Sequence, residues 1–371
     1  MVFYVVGQVM CGRTLLGKYL ILRLRQSAGQ AEGGRYNMYA FGVFAASKLQ
    51  SWKRSRLMNM RRFTLGRVVL AMALAAVLGS AGYASTGTGA PAEPGMVTMT
   101  VTAVAKKEAT PPPVAKNDVE LYQGKERLQV ADWRKGETLL LAVVIDDSLS
   151  STIASQWNDL KGFMMSQPPT TLIGVFYGRN GTVTVGQDFT ADHALAAKAL
   201  RIPYGGFGAF SSPYLELQDM IKRWPDNNER KSIILLSSGI DYFRGNFGPT
   251  SPDLDPTIDN AQKSNVNIWT IYAPDAGHQA RGFFNVFNAQ SSLSQLSNET
   301  GAESYYLGFG QPVNLKPYFD EISVHLANQY LLTFAAPNGG KKGKFERVRV
   351  ATELPNVEFM SPSEVFVPKA E

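Results

Sequence analysis

Asp146, Ser148 and Ser150 place one carboxylate and two hydroxyls at alternate positions, directly after the seven apolar residues 139–145. Oxygen donors of this kind suit a hard divalent cation, because Mg²⁺ demands octahedral oxygen ligation and tolerates retained water. Three such groups make half of an oxygen-lined cation site. The same serine hydroxyls also suit ordinary capping of the helix-like segment 151–165, where they would accept from backbone N–H groups. Both readings need the same scaffold. Seven apolar residues are enough for a strand buried on both faces, as in a parallel sheet. In open α/β sheets, ligands bind in the crevice at the carboxyl ends of the strands, which is where this triplet falls.

The elements that would hold the triplet alternate along the chain. After the strand 139–145 and the helix 151–165 come strands at 171–177 and 182–185, joined by Arg179-Asn180-Gly181 as a hairpin. Helices are expected at 191–200, 212–224, 256–263, 292–299 and 315–327, with strands at 232–236, 266–272 and 304–307. Strands alternating with helices imply a mainly parallel sheet covered on both faces, and the hairpin supplies one antiparallel edge strand. The flanks read differently. Segments 96–102, 118–123 and 127–130 lie before this region, and 330–335, 345–351 and 357–360 after it, all with β patterning. Neither flank has enough strands to stand alone, so the two are expected to pair into one small β-rich accessory unit.

The Asp146-x-Ser148-x-Ser150 run resembles the first motif of the von Willebrand factor type A domain, whose metal-ion-dependent adhesion site begins Asp-x-Ser-x-Ser. The likeness extends over residues 138–327. "LLSSGID" (235–241), "LSQLSNETGAESYYL" (293–307) and "PYFDEISVHLANQYLLTF" (317–334) are similar to that family's later motifs. "DVELYQGKERLQV" (118–130) and the β tail resemble the arrangement in von Willebrand A-related proteins of Acidobacteria. The resemblance implies a Rossmann-like α/β fold and a Mg²⁺ or Mn²⁺ that leaves one position open for a partner's carboxylate. The second loop, "GGFGAFSSPYLEL" (205–217), has Phe207 or Phe210 where the family's threonine falls, so Ser211 or Ser212 would supply the hydroxyl. In the third loop Ser238 stands where the family has aspartate, with Asp241 three residues on. The site is therefore partly degenerate, and a metal-free scaffold whose hydroxyls cap the first helix is the other outcome. Asp147 is expected to point away from Asp146. Phe207 and Phe210, on a glycine-rich loop, are candidates for an exposed partner-binding patch and equally for core packing.

Other constellations are weak. His193, His278 and His325 are scattered without metal-ligand spacing, and His193 and His325 fall in helical segments that favour surface or satisfied core positions. No nucleophile elbow, zinc-protease motif, phosphate loop or dinucleotide fingerprint occurs. The serines have no general base placed near them in the sequence, so an enzyme is not expected.

Targeting dominates the N-terminus. Basic residues 61–67, the apolar run 68–78 and small residues before Ser85 read as a signal peptide over 60–84. Residues 1–59 then read as an upstream extension from a misassigned start, and 85–95 as a linker. Residues 1–84 hold 12 of the 37 basic residues and one of the 31 acidic, so the remainder carries a net charge near −5 against +6 for the whole chain. The basic total is thus no sign of nucleic-acid binding. The single cysteine, Cys11, also lies in the excluded part, which leaves no thiolate ligand. The reading is an exported protein-binding module, secreted or periplasmic, with a protein partner and no membrane span in its mature form. The alternative is a metal-free structural or assembly component of the cell envelope.

Overall fold

The computed structural model describes residues 95–106, 110–205, 211–224, 229–243, 250–276, 282–305, 308, 310, 313–336 and 343–368. All of them fall within one compact unit, Thr86–Glu371. The expected signal peptide, the upstream extension and Phe207 and Phe210 lie outside the described residues. No described helix is long and apolar enough to cross a membrane.

The strands are β1 (Met96–Ala105), β2 (Glu120–Gln123), β3 (Glu126–Leu128), β4 (Val130–Lys135), β5 (Leu139–Asp146), β6 (Thr171–Arg179), β7 (Thr182–Thr190), β8 (Arg230–Ser237), β9 (Val266–Tyr272), β10 (Ser304–Tyr305), β11 (Gln329–Ala335), β12 (Lys344–Ala351), β13 (Val357–Met360) and β14 (Glu364–Val367). The helices are α1 (Trp157–Ser166), α2 (His193–Lys198), α3 (Pro213–Lys222), α4 (Leu254–Lys263), α5 (Phe283–Glu299) and α6 (Lys316–Ala327). Six strands form the central sheet in the order β10-β9-β8-β5-β6-β7. All neighbours are parallel except β6 and β7, which are antiparallel. Written from the first strand outward, the order is doubly wound, with β5 at the switch point where successive strands go to opposite sides.

The sequence of β5 explains its place. Side chains alternate across a strand: Leu139, Leu141, Val143 and Ile145 pack with α1, α2 and α6, whereas Leu140, Ala142 and Val144 pack with α3, α4 and α5. Both faces are therefore apolar and both are covered. The β6–β7 hairpin turns on Asn180 and Gly181, with φ of 54° and 74°, the positive pair that a two-residue turn of matching twist requires.

The flanking β segments pair with each other as expected. β1 lies antiparallel to β11 from Met96↔Ala335 to Thr102↔Gln329, and β12 pairs with β2. Two four-stranded sheets result, ordered β13-β1-β11-β4 and β14-β12-β2-β3, sharing an apolar core that includes Met99, Leu121, Leu332 and Phe334. The accessory unit is tied to the α/β layer through Gly301. That residue ends the α5 turn at φ +76°, and a Cβ there would stand 2.6 Å from Pro362 N. Thr300 forms a β-bridge with Pro362, and Gln262 Nε2 donates to Ser363 Oγ at 3.2 Å.

Several elements differ from expectation in extent. α5 begins at Phe283, nine residues before the expected start at 292. Its first turns are rich in phenylalanine and asparagine, which have poor intrinsic helix propensity, and tertiary packing of Val286 and Ala289 overrides that. The segment after Ser150 opens as a 3₁₀ turn (Ser151–Gln156) before α1. β4 and β14 carry no clear alternation and went unrecognised, yet β4 pairs with β11 from Tyr330 to Phe334.

Candidate functional site

The site forms where β5 and β8 end side by side. Asp146 is the last residue of β5 and is fully buried. Its Oδ1 accepts from the backbone N–H of Ser148 at 2.9 Å and lies 2.8 Å from Ser211 Oγ. Its Oδ2 accepts from Ser237 Oγ at 2.8 Å. Burial pushes the Asp146 carboxyl up, opposed by the nearby Ser148 hydroxyl and by the hydrogen bonds from Ser148 N, Ser237 and Ser211. The Ser148 hydroxyl itself is buried without hydrogen-bond geometry to any described partner.

A second carboxyl group adjoins this one. Glu216, on α3, is completely buried although its helix is otherwise apolar on that face. Its Oε1 lies 2.9 Å from Ser211 Oγ and accepts weakly from Ser212 N at 3.4 Å. Its Oε2 fills the space where a Cβ on Gly178 would stand, 2.0 Å away, so a glycine in β6 is what admits the side chain. Ser211 has one hydroxyl proton and touches two carboxyl oxygens, so it can donate to only one of them. Asp146 takes two other hydrogen bonds, from Ser148 N and Ser237 Oγ, and Glu216 two, from Ser212 N and Gly181 N. A protonated Glu216 would donate to Ser211 Oγ and leave the serine proton for Asp146. Burial first, and next the charge of Asp146, push Glu216 well above the usual carboxylate range.

The remaining residues expected at the site are engaged locally. Ser150 caps the 3₁₀ turn, contacting Thr152 Oγ1 at 2.8 Å and accepting from Thr152 N. Ser212 caps α3, accepting from Leu215 N at 3.4 Å, with Pro213 in the first turn. Ser238 is buried and accepts from Ile240 N at 3.3 Å. Asp241 accepts from Phe243 N at 3.1 Å and from Ser251 Oγ. Thus Asp146, Ser148 and Ser211 come together, whereas Ser150, Ser212, Ser238 and Asp241 cap adjacent turns.

Asp147 points away from Asp146, and it has a partner. Arg201 grips it with both terminal nitrogens, Nη1 and Nη2 each 2.7 Å from a carboxylate oxygen. The guanidinium carbon sits 3.7 Å from the centre of the Tyr177 ring and 4.1 Å from that of Tyr204. Tyr177 Oη in turn accepts from Arg201 N at 2.6 Å. Backbone bonds finish the assembly: Gly205 N to Asp147 O, Ser150 N to Pro274 O, Ala276 N to Ser148 O and Tyr242 N to Ser211 O. Tyr242 Oη also donates to Asp275. The loops after strands β5, β8 and β9 and the segment after helix α2 are in this way fixed around Asp146.

Sequence reasoning missed Ser237, Glu216 and Arg201. The signal for Ser237 was the register: Ile145 pairs with Leu236, which brings the next residue of each strand level. For Glu216 it was an acidic residue among Tyr214, Leu217, Met220 and Ile221, the buried stripe of α3.

No family model matches the sequence, and no curated protein matches it. Among solved structures, the chain is similar to a von Willebrand factor type A protein from Catenulispora acidiphila, with 12% identity over 75% of this chain and 74% of that one and a TM-score of 0.39. It is also similar to an aerotolerance-related membrane protein from Bacteroides fragilis, with 10% identity over 51% and 98% of the two chains and a TM-score of 0.37. A third is proximal thread matrix protein 1 of the mussel byssus with a zinc-occupied MIDAS motif, with 16% identity over 53% and 47% and a TM-score of 0.37. The fold assignment rests on the strand order and the antiparallel edge described above, which match the Rossmann-like α/β architecture expected from the resemblance.

Proposed function

We propose that the chain is an exported protein-binding module that engages its partner through the loops at the carboxyl ends of β5 and β8. The site's donors are oxygens throughout, which suits Mg²⁺ or Mn²⁺. The observation that carries the reading is Ser148 Oγ, a buried hydroxyl beside the buried Asp146 carboxylate that makes no well-formed hydrogen bond to it. Leaving such a group poorly paired is costly, and a cation at this point would relieve it. Asp146, Ser148 and Ser211 are the residues that would hold the ion, which would offer a partner's carboxylate a positive centre. With one charged carboxylate in the set, affinity is expected to be weak.

A second reading is favoured by a different observation. Both oxygens of Asp146 already take hydrogen bonds from the protein, and Ser150 caps a turn, so a metal-free scaffold holds together as it stands. Melting temperature separates the two. Ligands that bind the folded chain alone raise it by linkage. A small rise with Mg²⁺ or Mn²⁺ is expected, reduced by Ser148→Ala and absent in Asp146→Asn. Equal shifts in wild type and Asp146→Asn would sink the cation reading.

Export rests on the signal-peptide pattern over 60–84. The native protein is expected to begin near Ser85. N-terminal sequencing decides this, and a mature start upstream of Met58 would overturn it.

A further inference from the structure

A different part of the fold gathers metal-ligand chemistry. Glu321 and His325 stand four residues apart on α6 and so share one helical face. Glu303 comes from the segment leading into the edge strand β10. One carboxylate oxygen from each glutamate and one ring nitrogen of His325 lie within 4.8 Å of one another. We infer that Glu303, Glu321 and His325 form a binding site for a divalent transition-metal ion, with Zn²⁺ the best match.

Two buried atoms point to a missing partner at this place. His325 is 5% exposed, and its Nδ1 makes no hydrogen bond. The sequence favours a surface or satisfied core histidine; the ring is buried and its Nδ1 is not satisfied. Tyr305, from β10, is equally buried, and its hydroxyl is also without a partner. Burial, then the negative charges of Glu303 and Glu321, push that hydroxyl up. The imidazole is held in place by stacking on Trp269, ring centroids 5.3 Å apart at 27°.

The ligand set selects the metal. Imidazole with carboxylates suits zinc, whereas Mg²⁺ and Ca²⁺ favour oxygen alone. Ligand atoms about 2.0–2.2 Å from a tetrahedral zinc stand roughly 3.4 Å apart. The cluster must therefore close by about 1 Å or somewhat more. Glu321 is exposed and free to rotate inward. Three protein ligands leave the fourth position to water.

The test is Zn²⁺ binding to the mature chain by titration calorimetry, with excess Mg²⁺ present to occupy oxygen-only sites. Wild type and Asp146→Asn should bind alike. Glu321→Gln, a surface change that leaves folding intact, and His325→Gln should each weaken binding by roughly tenfold or more, the scale of loss seen even for outer-shell partners. Full Zn²⁺ affinity in Glu321→Gln would overturn the inference. So would the absence of Zn²⁺ binding by the wild type, or binding lost in Asp146→Asn and kept in Glu321→Gln, which would assign the ion to the other site.

Discussion

Replacing Arg201 with alanine should destabilise the fold by about 3 kcal/mol, because it strands a buried carboxylate. Asp147 is 3% exposed and its partner 32% exposed, so the loss belongs toward the lower end of what a fully buried pair gives. The guanidinium does more than neutralise. Its two nitrogens fix both oxygens of Asp147, and its face covers Tyr177 and Tyr204. Lysine can supply the charge but neither the fork nor the flat face, so Arg201→Lys should recover only part of the stability. Asp147→Asn in the Arg201→Ala background should recover some as well, since the stranded charge is then gone. Urea denaturation measures all three. A loss below about 1 kcal/mol for Arg201→Ala would place the pair with ordinary surface ion pairs and remove its role in fixing the loop after β5.

Glu216→Gln should make the protein more stable at neutral pH, although it alters a buried and fully packed residue. The folded state holds the Glu216 proton well above 4.5, where the unfolded chain releases it. A group raised in this way contributes its full stability below the unfolded value and loses it as pH rises toward the folded one. One proton's difference gives a slope of about 1.4 kcal/mol per pH unit. Wild type should thus weaken relative to Glu216→Gln as pH climbs from 4.5, while glutamine keeps an N–H donor for Ser211 Oγ. Denaturation profiles across pH 4–8 that run parallel for the two proteins would show that Glu216 is ionised in the fold.

The architecture was legible wherever burial left a continuous apolar run. β5, β8 and β9 are buried at every position, and the sequence marks them without ambiguity. The start of α5 was not legible, since its phenylalanines at 283, 284 and 287 are largely exposed and leave no amphipathic stripe. At the site, Asp146 could be read because it ends a buried strand. The hydroxyl facing its Oδ2 could not: Ser237 and Ser238 are adjacent, and only the register of β5 against β8 chooses between them. Glu216 was hidden for another reason. Its burial depends on Gly178, 38 residues earlier on another element, so the acidic residue in the buried stripe of α3 was a local sign without a local explanation.

The claim that Asp146 anchors a cation is tested most directly by Mn²⁺ uptake, followed through loss of the free-ion paramagnetic resonance signal. The chain should carry Glu321→Gln so that the second cluster does not contribute. At about 1 mM ion, the range of weak divalent sites, a single ion should bind, and it should be released in the Asp146→Asn double variant. Ser148→Ala should lower its affinity. Uptake should also rise with pH, as Glu216 gives up its proton and Ser211 can turn its own toward that carboxylate. If the free signal is undiminished at that concentration, or if Asp146→Asn leaves uptake unchanged, Asp146 is a structural acceptor for Ser148, Ser211 and Ser237, and the loop face binds without a metal.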